Sequence, residues 1–485
     1  MHWPMPFLFD PRQRRTALGA ALVLLLAVLP LRQWLRQRSA EIYKRGVLVI
    51  DGRRRRRLGA PRQGHRSACL CLAGVPIAPL DETKHFKLIG TTGTGKSTAI
   101  RELLAAAIRR GDRAVIADPD GGYLRRFYAR YRGDVILNPF EADSVKWDWS
   151  AEIHDRYDVE QLAGGLIPSS NDPAGQEWRG YARTYFTAVA RRCHATGRHD
   201  ASELWRLLTV APGEELRAIV AGTPAQPFLD PDNARMFGSI RSVTGSAVAA
   251  LEYIQAQRTS TFSVRRWVRN AASPGLLFIP YKAGQIDALR SMIAAWLRLA
   301  VFEAMSQHED HDQRLWFVID ELDALGAIDG LKDALARLRK FGGRCVLGFQ
   351  SIAQVSSTYG AGDAQTIVEN CGNTLIFRCA GSENGGTSQF ASKLIGEREI
   401  RRRQTTRGRD RTGPFGSRDA RRSTNISDQY VTEAAVLPSE IEQLPDLHGY
   451  LKRASSAEWL RVALDPRHGQ PYRMRRRPTE TFDAR

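Results

Sequence analysis

The chain has 485 residues, 43% of them hydrophobic and 25% charged, with a formal net charge of +19. That apolar content excludes a disordered chain and supplies core for two or three domains. The charge points to a polyanionic partner, either nucleic acid or an anionic membrane face. Cys69, Cys71, Cys193, Cys345, Cys371 and Cys379 lack the paired spacing of a zinc site, and a cytosolic, reducing location for the bulk of the chain is the simple reading.

In chain order, the first feature is the uncharged, leucine-rich run Thr16–Leu31, flanked by Arg14, Arg15, Arg32 and Arg36. It is shorter than the ~20 residues of a typical span, but its flanks can snorkel, and it reads as a membrane anchor. The denser basic residues after it place the bulk of the chain in the cytoplasm. Arg53–Arg57 is a run of arginines suited equally to lipid headgroups and to DNA phosphates. We expect an anchor over 1–38 and a basic connector over 39–80, with a strand near Gly46–Ile50.

Gly90–Thr98 reads GTTGTGKST, directly after the apolar Phe86–Ile89. This is the phosphate-loop pattern G-x-x-x-x-G-K-[ST]. Gly93 and Gly95 let the backbone curl so that the N–H groups of Thr92–Thr98 converge on phosphate oxygens. Lys96 supplies a point charge for the β and γ phosphates, and the Ser97 hydroxyl is placed to ligate Mg²⁺. Ile100, Leu103, Leu104, Ala107 and Ile108 then form one apolar helical face, so the loop opens a helix whose positive end meets the same anion. The expected nucleotide is ATP.

Further strands are expected near Ala114–Ala117, Val135–Leu137, Leu276–Ile279, Leu315–Ile319, Cys345–Phe349 and Leu375–Phe377, interleaved with helices in a parallel, doubly wound sheet. From 146 to 264 no comparable strand runs occur, and the segment reads as an all-α insertion. Its Trp178, Tyr181 and Trp205 either stack on bases or pack in a core. His308–Asp312 reads as a polar loop rather than a metal cluster.

Leu315–Ile319 ends in Asp320–Glu321. An acid at that strand end lies where the phosphate loop opens, so Asp320 is expected to hold Mg²⁺ and Glu321 to act as general base on water. The second carboxylate separates motor ATPases from many GTP switches. Gln350, at the end of the strand Cys345–Phe349, is placed to sense the γ-phosphate. A helix from about Asp329 to Phe341 carries Arg337, Arg339 and Lys340, with Arg344 just beyond. Any of them can serve as an arginine finger or as a basic flank. Arg398 through Arg422 reads as a disordered, phosphate-facing loop, and the tail from Arg473 as disordered.

These motifs together resemble the type IV secretion coupling proteins of bacterial conjugation, the TraD-like family related to the FtsK and HerA translocases. The resemblance rests on GTTGTGKST, Asp118–Gly121, Asn138–Phe140, Trp147–Trp149, Asp320–Glu321, Gly348–Ser351, Leu444–Asp446 and Gly449–Leu451. It implies an α/β, RecA-like phosphate-loop ATPase core over 81–145 and 265–460, a basic tail over 461–485, and the finger role on Arg339. It also implies a membrane-bound homo-hexamer that moves single-stranded DNA and its relaxase toward a secretion channel. The single apolar run departs from the two spans usual in that family. A double-stranded DNA translocase is the alternative within the enzyme class, but neither several spans nor a terminal winged helix is seen. A membrane adaptor for protein substrates is the alternative outside it; a long acidic or partner-binding tail would favour it, whereas this tail is short and basic.

Overall fold

The computed structural model describes residues 41–52, 70–170, 172–272, 274–310, 313–383, 385–410 and 421–468. The expected anchor, the Arg53–Arg57 run and the segment beyond 468 lie outside these residues. Among the described residues, no helix is long and apolar enough to cross a membrane.

The larger of two compact units comprises the described residues of Val49–Leu394 and those from Leu437 onward. It is built on a ten-stranded sheet in the order Val49–Asp51, Trp459–Ala463, His448–Lys452, Asn373–Ile376, Phe86–Ile89, Gly343–Phe349, Leu315–Ile319, Arg113–Pro119, Leu276–Tyr281, Val135–Ile136. The seven strands from Asn373–Ile376 to Val135–Ile136 are parallel, and they are the seven read from the apolar runs. His448–Lys452 and Trp459–Ala463 extend one side as an antiparallel pair, and Val49–Asp51 lies parallel to the latter at the edge. Both faces of the parallel strands are buried, which is why they are near-continuous apolar runs rather than alternating ones. Helix Lys96–Arg110 covers one face with Ile100, Leu103, Leu104 and Ala107, packed on Phe86, Leu88, Ile116, Trp316 and Val346. Helix Ile286–Met305 contacts strands Leu276–Tyr281 and Arg113–Pro119.

Between Trp147 and Thr261 the described residues form six α-helices, the longest Pro173–Ala195, where Asp172 accepts from the Gly175 N–H and Pro173 opens the first turn. The chain leaves and returns through a short parallel pair, Lys146–Trp147 with Thr261–Phe262. Glu152 pins this root. Its buried carboxylate accepts from Trp147 Nε1 (2.9 Å), Val264 N (2.7 Å) and Arg265 N (3.0 Å). Trp147 is buried edge-on to Trp296, so the tryptophans of this segment are a structural joint.

The second unit is a three-stranded antiparallel sheet of Glu41–Gly46, Glu397–Asp410 and Arg421–Ala434. The arginine-rich segment expected to be disordered is therefore a hairpin over its described residues. Threonines, Ile400, Ile426, Tyr430 and Val431 between the charges supply β propensity. Cross-strand acids pair with its arginines: Glu433 with Arg398 (2.7 Å), and Asp428 with Arg401 (3.5 Å) and Arg403 (3.4 Å). The described residues between 395 and 436, expected within the 265–460 core, pack with Glu41–Gly46 instead.

Arg344, one of the finger candidates, is buried at the amino-terminal end of the sheet. Its Nε donates to Glu82 Oε2 (3.0 Å), and Arg110 donates to both Glu82 oxygens at 2.8 Å. One carboxylate thus holds two guanidinium groups in the interior. Removing one partner of a buried ion pair leaves uncompensated charge and costs about 3–5 kcal/mol. Glu82→Ala is expected to lower the thermal melting temperature by several degrees, whereas Glu397→Ala on the hairpin should leave it unchanged within error.

Candidate nucleotide site

The carboxyl ends of four adjacent parallel strands, Phe86–Ile89, Gly343–Phe349, Leu315–Ile319 and Arg113–Pro119, converge on one cleft of about 400 Å³. Clefts at such strand ends are where open α/β sheets bind ligands. Thr92, Gly93, Gly95, Lys96, Ser97, Thr98, Asp320, Glu321 and Gln350 all line it. Thr94, also expected in the phosphate cradle, is buried behind it and donates from Oγ1 to Thr91 O (2.7 Å). That bond stiffens the loop rather than presenting a ligand group.

Gly93 and Gly95 hold φ of +79° and +124°, the region open to glycine. Gly95 is the N-cap of helix Lys96–Arg110, so the loop N–H groups and the helix N-terminus face the cleft together. Lys96 is buried, and its Nζ donates to Gly90 O (2.6 Å) and Thr91 O (3.2 Å). Burial lowers its pKa, opposed by the negative charges of Asp320 and Glu321.

Asp320 Oδ2 accepts from Ser97 Oγ (2.6 Å) and from the Tyr123 hydroxyl (2.7 Å). Among the described residues its Oδ1 is buried with no hydrogen-bond partner. A buried carboxylate oxygen left bare beside a serine hydroxyl is the donor set a hard divalent cation needs, and the residues present fit Mg²⁺. The close approach of the neighbouring strand shapes this pocket. A Cβ on Gly348 would lie 2.2 Å from Asp320 O and 3.1 Å from Oδ1, so only glycine lets the glutamine strand pass there.

Glu321 Oε1 accepts from Gln350 Nε2 (2.8 Å), and Gln350 Oε1 accepts from Thr92 Oγ1 (2.9 Å). A single amide therefore links the phosphate loop to the second acid. Burial raises the Glu321 pKa, with Asp320 and Asp323 adding to the rise and the Gln350 bond opposing it. A half-buried carboxylate tuned upward suits proton abstraction near neutral pH.

Tyr123, Asp118, Arg101 and Arg125 were not singled out as site residues from the sequence. Asp118 accepts from Tyr123 N (3.0 Å) and Leu124 N (2.7 Å), which fixes the turn that brings the Tyr123 hydroxyl to Asp320. Burial lifts the Asp118 carboxyl to about 6 against those two bonds. Asp120 occupies the left-handed region at φ 57°, as short polar side chains in turns do. Arg101 and Arg125 line the cleft. The Asp118–Pro119–Asp120–Gly121 run was the available signal for this turn.

Arg339 is not brought to the cleft. It lies exposed on the 3₁₀ turn Leu338–Phe341. Its charge acts on His85, before the amino end of the phosphate-loop strand, where burial and the cations of Arg344 and Arg339 hold the imidazole down at about 4. The helix expected over Asp329–Phe341 is α-helical only at Leu331–Arg337.

Sheet, loop and acid pair define an α/β phosphate-loop ATPase fold. The family described as the type IV secretion-system coupling protein DNA-binding domain matches residues 69–465, and the chain belongs to it. The coupling protein TraD of Escherichia coli K12 is 32% identical over 391 residues, covering 78% of this chain and 52% of TraD. The chain thus spans about half the length of that relative. The plasmid coupling protein TrwB, solved with the ATP analogue ADPNP, superposes with a TM-score of 0.75 at 30% identity, covering 87% of this chain and 94% of TrwB. TrwB with ADP and Mg²⁺ matches over the same shares at 30% identity and a TM-score of 0.74.

Proposed function

We propose that this chain is the ATPase of a DNA-translocating coupling protein, with an inserted all-α domain over 146–264 in a RecA-like core. The observation that carries the reading is the cleft in which Lys96, Ser97, Asp320, Glu321 and Gln350 converge on one side of a phosphate loop. Homology supports it, since TrwB binds an ATP analogue and, with Mg²⁺, ADP.

In this reading the N–H groups of Thr92–Thr98 and the Lys96 ammonium hold the β and γ phosphates. Ser97 and Asp320 would hold Mg²⁺, which would supply positive charge to offset that of the phosphates. Glu321 accepts a proton from the attacking water as its oxygen bonds to the γ phosphorus and the bond to the leaving oxygen breaks. Gln350 orients the Glu321 carboxylate and reports the state of the phosphate loop. Arg339 has no role in its own chain's cleft, and its exposure suits a finger for a neighbouring subunit in a homo-hexamer. The partners are single-stranded DNA with its relaxase and the type IV secretion channel, at a bacterial inner membrane reached by the anchor at Thr16–Leu31 and with the bulk of the chain cytoplasmic. The net charge of +19 favours phosphate backbones, so binding should be salt-sensitive and weakly sequence-specific.

Steady-state ATPase activity should rise with single-stranded DNA more than with duplex. Lys96→Ala and Glu321→Gln should each abolish it by about 100-fold or more. Stimulation by duplex alone would favour the double-stranded translocase, and indifference to any DNA would favour the protein adaptor.

The pH profile follows from the two raised carboxyls. Each must be ionised, Glu321 to take a proton and Asp118 to accept two N–H groups; with Asp118 lifted to about 6, its contribution is expected to be lost as pH drops through that value, and the raised Glu321 adds to the same acid limb. Asp118→Asn should move that acid limb to lower pH. An unmoved limb would assign it to Glu321 alone.

A further inference from the structure

Among the described residues, the nucleotide cleft is not the largest cavity. A second one, about 740 Å³, opens between helices Pro173–Ala195 and Ala234–Val248 on one side and elements of the ATPase core on the other. Its core wall consists of the start of helix Ile286–Met305, the loop Leu325–Ala327 and the end of helix Ile352–Tyr359.

Two of those three elements lead out of the nucleotide cleft. The loop follows Asp320–Glu321 within a few residues, and the helix Ile352–Tyr359 begins just after Gln350. They are braced together at the cavity. The Tyr359 hydroxyl accepts from Ile328 N (3.2 Å) and donates to Gly326 O (3.4 Å). Arg290 Nε donates to Ala324 O (3.1 Å), fixing the same loop from the facing helix. A change at Glu321 or Gln350 therefore reaches the cavity wall through a few covalent steps.

The lining is chemically biased. It presents Arg179, whose Nη1 donates to Pro168 O (2.7 Å), Arg290, paired through Nη2 with Asp287 Oδ1 (2.9 Å), the half-buried ring of Trp178 and seven serine and threonine hydroxyls, against one carboxylate in the lining, Asp172. That carboxylate is already engaged, accepting from Gly175 N (2.7 Å) as a helix cap. Ser242 and Ser246 lie one turn apart on an exposed helical face. Cations and hydroxyls for phosphates with one aromatic face for a base are what sequence-tolerant single-strand sites use.

We propose that this cavity seats a stretch of single-stranded DNA, with its phosphates on the arginines and hydroxyls and a base on Trp178, and that the braced loop and helix couple this seat to nucleotide turnover. The inference rests on the translocase reading and adds the site. None of the residues tested lies in the nucleotide cleft.

The test uses the full chain, a short fluorescent oligothymidylate and the ATPase assay. Trp178→Ala, and the pair Ser242→Glu with Ser246→Glu, should each weaken oligonucleotide binding by about tenfold or more and remove the single-strand stimulation. DNA-free ATPase activity and melting temperature should stay unchanged. Trp178→Phe, which keeps a stacking face, should retain most of the affinity and so separates stacking from a fold defect. If wild type is stimulated and the variants bind and respond equally, the seat lies elsewhere while the translocase reading stands, and a polypeptide becomes the candidate occupant. If wild type itself neither binds nor responds to single strands, both fall.

Discussion

The carboxylate of Asp320 is the contact on which the site depends. It stands at the end of a strand flanked by the glutamine strand on one side and the Asp118 strand on the other, and its Oδ2 gathers hydroxyls from Ser97 and Tyr123. Three segments far apart in sequence are thereby tied at one atom. Hydrogen bonds to a charged group contribute roughly 1.5–3 kcal/mol each. Burying a carboxylate has an effective penalty of several kcal/mol. Two hydroxyl donors on Oδ2, with Oδ1 bare, leave that burial incompletely compensated, and a bound divalent cation would complete it.

The second acid is handled differently. Glu321 is only half-buried and takes its hydrogen bond from the Gln350 amide, which is itself fixed by Thr92. One carboxylate is thus set for holding and the other for proton transfer. Gly348 is part of the same arrangement, because any side chain there would collide with the backbone of Asp320. The motif around Gly348–Gln350 is therefore a packing requirement as well as a chemical one.

Much of this was legible in the chain. The seven parallel strands announce themselves as apolar runs, and the spacing of Gly93, Gly95, Lys96 and Ser97 specifies a loop whose geometry the structure reproduces. Tyr123 was missed because it comes from a turn with no periodic signal, a turn that the Asp118 carboxylate fixes. The hairpin from Glu397 was misread because charge density was weighed above the β-branched and aromatic residues between the charges, and because the acids that neutralise it lie across the strands rather than beside it in sequence. Arg344 looked like its neighbours Arg337 and Arg339 until Glu82, from the start of the core, was seen to claim it. For the hairpin and for Arg344 the deciding partner was distant in the chain.

The measurement that tests the account most directly is the Mg²⁺ dependence of ATP binding, by calorimetry on wild type and on Asp320→Asn. We expect Mg²⁺ to tighten binding to wild type, and this gain to be lost in Asp320→Asn while metal-free binding by the phosphate loop persists. An Asp320→Asn variant with the full Mg²⁺ enhancement of wild type would contradict the assignment of Asp320, and with it the reading of the cleft.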